Sequence, residues 1–329
     1  MDWGQISGDA LRALVGSEAV VFALAAIGLN VHFGYTGLLN FGQAAFLAVA
    51  AYGLATIVTT FGLPFWLGIL VGFAGVVVLA LLLGIPTLRL RADYLAIVTI
   101  AAAEIIRLIF RSVTLRDTFG GSSGISGFST DFFALNPFSG DVGFGPFVFG
   151  ARDAWVLTVG WILVIIASLI VWALMRSPWG RVIKAIREDE DAVRSLGKNV
   201  YYYKMQALII GGLLGALGGF MFALAQAAVQ PDLFSTNLTF FAYVILILGG
   251  AARVLGPVLG AMIFWCLLQL TAGALEGAVR TGAIPSWLMD SNDVGAVRFI
   301  LVGLALVLLM VFRPQGILGD RKEIALDVR

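Results

Sequence analysis

The stretch between Glu18 and Arg89 carries no formally charged side chain, and this constrains the fold more than any other feature of the sequence. Within it, only His32 can gain a charge near neutral pH. One helical span of a bilayer needs about 20 apolar residues, so this stretch alone is long enough for three spans. Over the whole chain 12% of residues are charged, against about 25% in soluble domains. The sequence therefore predicts an integral membrane protein.

Hydropathy predicts nine helical spans, within a range of about eight to ten. The apolar runs are long and uniform, whereas a membrane β-barrel shows alternation over segments of about ten residues. We therefore predict an all-α, polytopic helical bundle that forms a single transmembrane domain over residues 1–329. The predicted spans are residues 12–33, 42–60, 65–85, 94–112, 155–175, 205–226, 237–253, 257–277 and 297–312.

The distribution of Lys and Arg predicts which loops face the cytoplasm. Residues 176–204 hold seven of the 21 Lys and Arg residues, and the 86–93 turn and the tail after the last span are also basic. The connector 113–154 has two Arg and four Asp, and the connector 278–296 has a single Arg. We predict a cytoplasmic loop at 176–204, extracytoplasmic loops at both connectors and, with nine spans, an external amino terminus.

The loop 176–204 combines an acidic run with apolar residues at helical spacing. The run 188–191 by itself is typical of a solvated helix face. The apolar residues beside it instead predict an amphipathic helix whose stripe enters a groove on a soluble partner, with the charges setting register. Such a loop favours a transporter that is driven by another subunit. The stripe consists of Ile183, Ile186, Val193 and Leu196.

Two glycine-rich segments interrupt the hydrophobic pattern, at residues 31–53 and 247–261. Nonhelical backbone inside a membrane persists only where protein buries it or where it lines a cavity, and transporters use such interruptions at substrate sites. The first segment is either an interruption of this kind or an ordinary turn between two spans. Its polar residues are the candidate translocation pathway: His32, Tyr35, Thr36, Asn40 and Gln43.

Glu104 and Arg107 lie three residues apart inside a predicted span, so they can pair across one helical turn. We interpret them as a structural pair near the outer interface. A proton- or sodium-coupled carrier would also need an intramembrane carboxylate, and Glu104 is the candidate. The sequence contains no GxxxxGK[ST] motif, no zinc-ligand spacing and no nucleophile elbow, so no catalytic or metal site is predicted. The glycine-rich 120–127 segment is predicted to be a flexible outer loop.

Four segments together resemble the permease subunits of branched-chain amino-acid ABC importers, of the LivM type. They spread from about residue 28 to 316 and, unlike each glycine-rich piece alone, form a specific combination. The segments are GYTGLLNFGQAAFLAVAAYG, LRLRADYLAIVTIAAAEIIRLIF followed by GGSSGISG, GRVIKAIREDEDAVRSLG, and FFAYVILILGGAARVLGPVLGA.

The resemblance implies a bundle like that of type II ABC importer permeases, in the bacterial inner membrane and surrounded by lipid. It also implies a homologous LivH-type permease partner, two cytoplasmic ATPase subunits and an extracytoplasmic substrate-binding protein. Nucleic acid is not an expected partner. ATP and Mg would be held by the ATPase subunits, so this chain would bind no cofactor and would not itself be an enzyme.

The resemblance further makes 176–204 the coupling-helix loop. It leaves the cargo open, because related permeases carry urea, short amides or other amino acids, and an ion-coupled secondary transporter is the alternative class. The residues expected to couple to the ATPase subunits are Arg181, Ile183, Ile186, Arg187, Glu190, Val193, Leu196 and Gly197.

Overall fold

A computed structural model describes residues 2–88, 92–281, 293–313 and 315–319 of the chain. Three basic or connecting stretches named above therefore lie partly outside the described residues: the 86–93 turn, the connector 278–296 and the tail. The principal helices are α1 (Trp3–Val15), α2 (Ser17–Leu29), α3 (Gln43–Thr59), α4 (Phe65–Thr87), α5 (Ala92–Arg111), α8 (Ala151–Arg176), α9 (Pro178–Glu188), α10 (Glu190–Ser195), α11 (Val200–Gln226), α12 (Thr236–Gly249), α13 (Gly256–Arg280) and α14 (Val294–Phe312).

Shorter elements fill the connections between these helices. A π-helical turn, Asn30–Tyr35, extends α2, and two 3-10 turns occupy Gly121–Ser123 and Pro231–Phe234. The short helices are α6 (Arg116–Phe119) and α7 (Thr130–Ala134), and the strands are β1 (Ile125–Ser126), β2 (Val142–Phe144), β3 (Phe147–Phe149) and β4 (Ala228–Val229).

Every predicted span overlaps a helix, which confirms the all-α, polytopic fold. Two of these helices, α3 and α12, are short: at 1.5 Å per residue their 17 and 14 residues fall below the roughly 30 Å hydrocarbon core. Six helical segments among the described residues are long and apolar enough to cross a bilayer. The first, Trp3–Tyr35, comprises α1, α2 and the π-helical turn. The others are Phe65–Thr87, Ala151–Arg176, Val200–Gln226, Gly256–Arg280 and Val294–Phe312.

Four predicted boundaries are wrong by four or more residues; α8 begins at Ala151 rather than residue 155, and capping accounts for two of the others. The first helix begins at Trp3 rather than residue 12, because the Asp2 side chain accepts a hydrogen bond from the Gln5 N–H. Helix α11 begins at Val200 rather than residue 205, because Asn199 caps it, so the last residues of the predicted loop belong to a span. Helix α12 ends at Gly249 rather than residue 253, and the next residue, Gly250, has a nonhelical backbone with φ of 109°.

Glycines on α11 let this helix pack closely against α2 and α3 at the centre of the bundle. A methyl group on Gly219 would overlap the Leu47 carbonyl, and one on Gly218 would lie 3.0 Å from the Val21 carbonyl oxygen. Membrane helices use glycine in this way because a missing side chain allows two backbones to approach.

The connections cluster at two ends of the bundle. At one end, Arg12 Nε donates to the Pro146 carbonyl, 2.5 Å away, which joins α1 to the connector 113–154. At the same end, β1 pairs antiparallel with β4, with Ile125 opposite Val229. The 120–127 segment is therefore folded against the α11–α12 connection, and the prediction of a flexible loop is wrong. The helices α9 and α10 lie at the other end, as the alternation of basic loops predicts.

Candidate translocation and coupling site

The first break, residues 36–42, joins the π-helical turn to α3 inside the bundle. Side chains satisfy two of its backbone donors: the Phe41 N–H donates to Thr99 Oγ1 at 3.0 Å, and the Gly42 N–H donates to Asn40 Oδ1 at 2.9 Å. The Ala44 N–H, in the first turn of α3, donates to Thr239 Oγ1 at 2.9 Å. A helix start leaves such donors unpaired, and within a membrane the protein itself must satisfy them. The first break is thus a connection between two spans that is buried in the protein.

A hydrogen-bonded chain fixes the tautomer of His32. Because Asn40 Oδ1 accepts from the Gly42 N–H, its Nδ2 faces His32 Nδ1, 3.0 Å away, and must donate to it. The other ring nitrogen, Nε2, therefore carries the proton and donates to the Leu208 carbonyl at 3.0 Å. Both ring nitrogens are satisfied with His32 neutral. The arrangement ties the first break to α11 and suits a structural group.

The five candidate pathway residues are all buried, and the structure brings only some of them together. His32 and Asn40 are in direct contact, whereas Gln43 lies between α2 and α11, where its Nε2 donates to the Ala25 carbonyl at 3.2 Å. The buried Gln43 Oε1 accepts no hydrogen bond from any described residue. Tyr35 lies beside Lys184 of α9, and the Thr36 hydroxyl donates to the Val31 carbonyl at 2.7 Å. Their role in translocation stays a prediction.

The second break, residues 250–255, separates α12 from α13 and contacts the π-helical turn that extends α2. Asn30 Nδ2 donates to the Arg253 carbonyl at 2.8 Å, and the Ala252 N–H donates to Asn30 Oδ1 at 2.9 Å. Ala252 has φ of 58°, in the left-handed region that residues other than glycine rarely adopt. Gly34 also approaches this break, because a methyl group there would lie 2.7 Å from the Ala252 nitrogen, so the two glycine-rich interruptions of the sequence meet in space.

The segment after α14 closes the end of α12. The N–H groups of Ile317 and Leu318 donate to the carbonyls of Leu248 and Gly249 at 2.9 and 3.1 Å. These are carbonyls that a helix end leaves unpaired. Gly316 has φ of 75°, and a methyl there would overlap the Ile247 carbonyl, so the segment needs glycine at this position.

The predicted coupling helix is two helices, α9 and α10, divided at Asp189. Ser177 caps α9 and Pro178 occupies its first turn, whereas Asp189 Oδ1 accepts from the N–H groups of Asp191 and Ala192 and so starts α10. Pro at the first helical position and Asp at the N-cap are the usual start signals. The chain therefore bends between two amphipathic pieces.

The apolar stripe of this loop faces its own chain. Ile183 is 0% exposed, Ile186 4% and Val193 5%, and the last two pack with Val200 of α11. The prediction that these three residues fill a partner groove is wrong, because burial inside the chain leaves no surface for a partner. Leu196 alone of the stripe is open, at 80% exposure.

Charged residues attach helix α9 to the π-helical turn that leads into the first break. Arg187 Nη1 donates to the Gly34 carbonyl at 2.6 Å, and the Lys184 ammonium lies 5.7 Å from the centre of the Tyr35 ring. The Gly37 position, with φ of 74°, packs on the Arg187 side chain. The coupling loop and the first break therefore form one connected site.

Of the remaining coupling candidates, Glu190 pairs with Lys204 in the first turns of α11 and lies 3.6 Å from Arg194. Arg181 and Gly197 are exposed, and Gly197 has φ of 76°.

Glu104 and Arg107 form a two-point ion pair on α5, with nitrogen–oxygen distances of 2.6 and 3.0 Å. Arg107 also contacts Asp232 Oδ1 at 2.5 Å, and Arg111 approaches the same carboxylate at 3.4 Å. Asp232 lies in the α11–α12 connection, so the cluster joins α5 to the end of the bundle opposite α9.

Several residues of this site escape an analysis of the sequence. Asn30 precedes the glycine-rich motif by one position, and Thr99 and Thr239 look like neutral members of apolar helices. Tyr243, whose hydroxyl donates to the Asn40 carbonyl at 3.1 Å, lies in an apolar run as well. Their signal is a polar side chain inside an apolar helix, but the sequence does not reveal which backbone group it satisfies.

Comparison with known proteins agrees with this architecture. The profile of the family described as "Branched-chain amino acid transport system / permease component" matches residues 15–310. The LivM permease protein of the high-affinity branched-chain amino acid transport system of Salmonella typhimurium is 32% identical, covering 92% of this chain and 69% of that protein. The LivM protein of Escherichia coli K12 is 31% identical with the same coverage. A probable LivM of Methanocaldococcus jannaschii is 26% identical over 92% of this chain and 91% of that protein.

The chain belongs to the branched-chain amino acid transport system permease family. It is an ABC transporter permease and a multi-pass protein of the bacterial inner membrane. Permeases of this kind are translocation subunits and are not themselves enzymes.

Proposed function

We propose that this chain forms half of the translocation pathway of an ABC importer for branched-chain amino acids. The contact of Arg187 with the Gly34 carbonyl carries the mechanistic part of the proposal, because it connects an exposed loop at the basic end of the bundle to the buried π-helical turn that leads into the first break. Family membership supports the energy source and the substrate class.

In this proposal the conformational change of the ATPase subunits reaches this chain through α9 and α10. Two ATPase subunits hold ATP and Mg, and one of them docks on the exposed side of the loop, where Arg181, Leu196 and Gly197 lie. The buried residues Ile183 and Ile186 fix α9 to its own bundle, so that docking displaces the first break rather than α9 alone. A LivH-type permease supplies the other half of the pathway, and an extracytoplasmic binding protein delivers the amino acid.

Uptake by the reconstituted assembly tests the proposal. Proteoliposomes containing this chain, its permease partner, the ATPase subunits and the binding protein should accumulate labelled leucine only when ATP and Mg reach the ATPase side. An uncoupler should leave that uptake unchanged. Competition by isoleucine and valine, but not by urea or a short amide, would assign the cargo; the reverse pattern would place the chain among the urea or amide permeases.

Glu104→Gln separates this proposal from an ion-coupled carrier. The substitution keeps the shape of the side chain and removes one charge from the ion pair with Arg107, which Asp232 also contacts. Because Asp232 still neutralises Arg107, we expect reduced but ATP-dependent uptake. Leucine uptake that needs an ion gradient but no ATP, and that Glu104→Gln abolishes, would refute the importer.

A further inference from the structure

The Asn30 side chain, in the π-helical turn that leads into the first break, makes a two-point contact with the second break. It is 1% exposed, and its only amide group is used in both directions, as donor to Arg253 and as acceptor from Ala252. Two antiparallel hydrogen bonds from one planar amide fix both the distance and the orientation of the backbone that it holds. Asn30 is buried whereas Ala252 and Arg253 are half-buried, so opening the contact leaves the Asn30 amide without its partners, which is costly for a buried polar group.

The same helical turn is held from its other side by α9. Gly34 lies one turn after Asn30, and its carbonyl accepts the hydrogen bond from Arg187. A methyl group on Gly34 would overlap Asn30 Oδ1 and lie 2.7 Å from the Ala252 nitrogen. Arg187, Gly34, Asn30 and Ala252 therefore form a continuous line from the coupling loop to the second break.

The backbone at the end of this line is strained. Ala252 holds φ of 58°, which costs a residue with a Cβ atom free energy unless its surroundings fix it. The hydrogen bond from its N–H to Asn30 is one such restraint. The second break thus holds a conformation that depends on the position of Asn30.

We propose that Asn30 is the positioning residue that transmits displacement of α9 to the second break, so that both breaks move with the coupling loop as one body. The proposal rests on the proposed function, since it needs an ATPase that moves α9. Without Asn30, movement of α9 would still reach the first break through Arg187, but it would not reach α12 and α13 by this route.

The test uses Asn30→Leu, which removes both hydrogen bonds at similar volume, in the complete reconstituted assembly. We expect ATP hydrolysis to persist, while the leucine transported per ATP falls about fivefold or more, the scale of a typical coupling between sites. Gly34→Ala should give the same defect, because it displaces the contact without altering Asn30. Should leucine prevent insertion, Asn30→Ser is too short to make both bonds and cannot overpack the site.

Thr87→Val is the matched control. Thr87 has a buried hydroxyl that, among the described residues, bonds within its own helix to the Leu83 carbonyl. A loss of stability alone would affect this variant as well, whereas the proposal expects an unchanged ratio of transport to hydrolysis.

A distance measurement tests the movement itself. Spin labels at Glu188 on α9 and at Leu255 in the second break, both exposed, should keep one distance in the wild-type protein with and without vanadate-trapped nucleotide. In Asn30→Leu the nucleotide should change that distance. A wild-type transport ratio together with an unchanged distance in Asn30→Leu would overturn the proposal. Absence of ATP-dependent uptake in the wild-type assembly would instead refute the proposed function.

Discussion

Replacing Gly28 with alanine tests whether direct backbone contact between α2 and α11 stabilises the bundle. The new methyl group would overlap the Gly211 carbonyl and lie 2.8 Å from both Gln43 Nε2 and the Gly215 nitrogen. Ordinary contact begins at 3.4 Å, so the two helices must separate by at least about 0.6 Å. A gap of about 0.5–1 Å already loses a quarter to a half of the dispersion energy of the atoms that face it.

The expected cost follows from these distances. Overpacking of a core by a methyl group costs typically about 1–3 kcal/mol. Part of this cost is offset, because alanine stabilises a helix relative to glycine by up to about 1 kcal/mol through its higher helix propensity. Gly303→Ala on α14 is the matched control, because no atom of a described residue lies within 4 Å of its new methyl group and it has the same propensity gain. The two variants should therefore differ by about 1–3 kcal/mol in stability.

Thermal unfolding of the detergent-purified proteins at one scan rate measures this difference. At about 2 °C per kcal/mol for a chain of this size, Gly28→Ala should melt roughly 2–6 °C below Gly303→Ala. Equal midpoints, or a higher midpoint for Gly28→Ala, would refute the view that the glycine contacts of α11 are needed for packing.

Ile186→Asp should lower the yield of folded protein, since it loses about 1.5–3 kcal/mol of apolar burial and buries an unpaired carboxylate; normal yield by size-exclusion chromatography would contradict the observed packing. Leu196→Asp should leave the yield unchanged and weaken ATPase association, as measured by co-purification. Asp232→Asn should change stability by only about 0.2–1 kcal/mol, because the carboxylate that contacts Arg107 is mostly exposed; a large shift in melting temperature would argue against this. A cysteine at Gly140 should label from outside intact cells, and one at Leu196 only after permeabilisation.

The structure also changes how the coupling loop is understood. An apolar stripe at helical spacing predicts burial, and Ile183, Ile186 and Val193 are indeed buried. Hydrophobic periodicity does not specify whether the burying surface belongs to the same chain or to a partner. Here α11 supplies that surface for Ile186 and Val193, because Asn199 starts the helix at Val200, a turn before the predicted span, whereas Ile183 packs in the main core of the bundle.

The sequence by itself determined the membrane class, the nine helical positions and the ends at which the loops lie. These properties depend on local composition. Each span must satisfy its backbone hydrogen bonds within itself, and the charge of each basic loop determines the side of the membrane on which that loop lies. The same local signals located the two glycine-rich breaks. They could not reveal that Asn30 bonds to Ala252, because these residues are 222 positions apart and only the packing of α2 against α12 and α13 brings them together. Tertiary structure alone decided which polar groups satisfy the broken backbone, because a hydrogen bond needs a partner at about 3 Å and sequence spacing fixes that distance only within a helix or a turn.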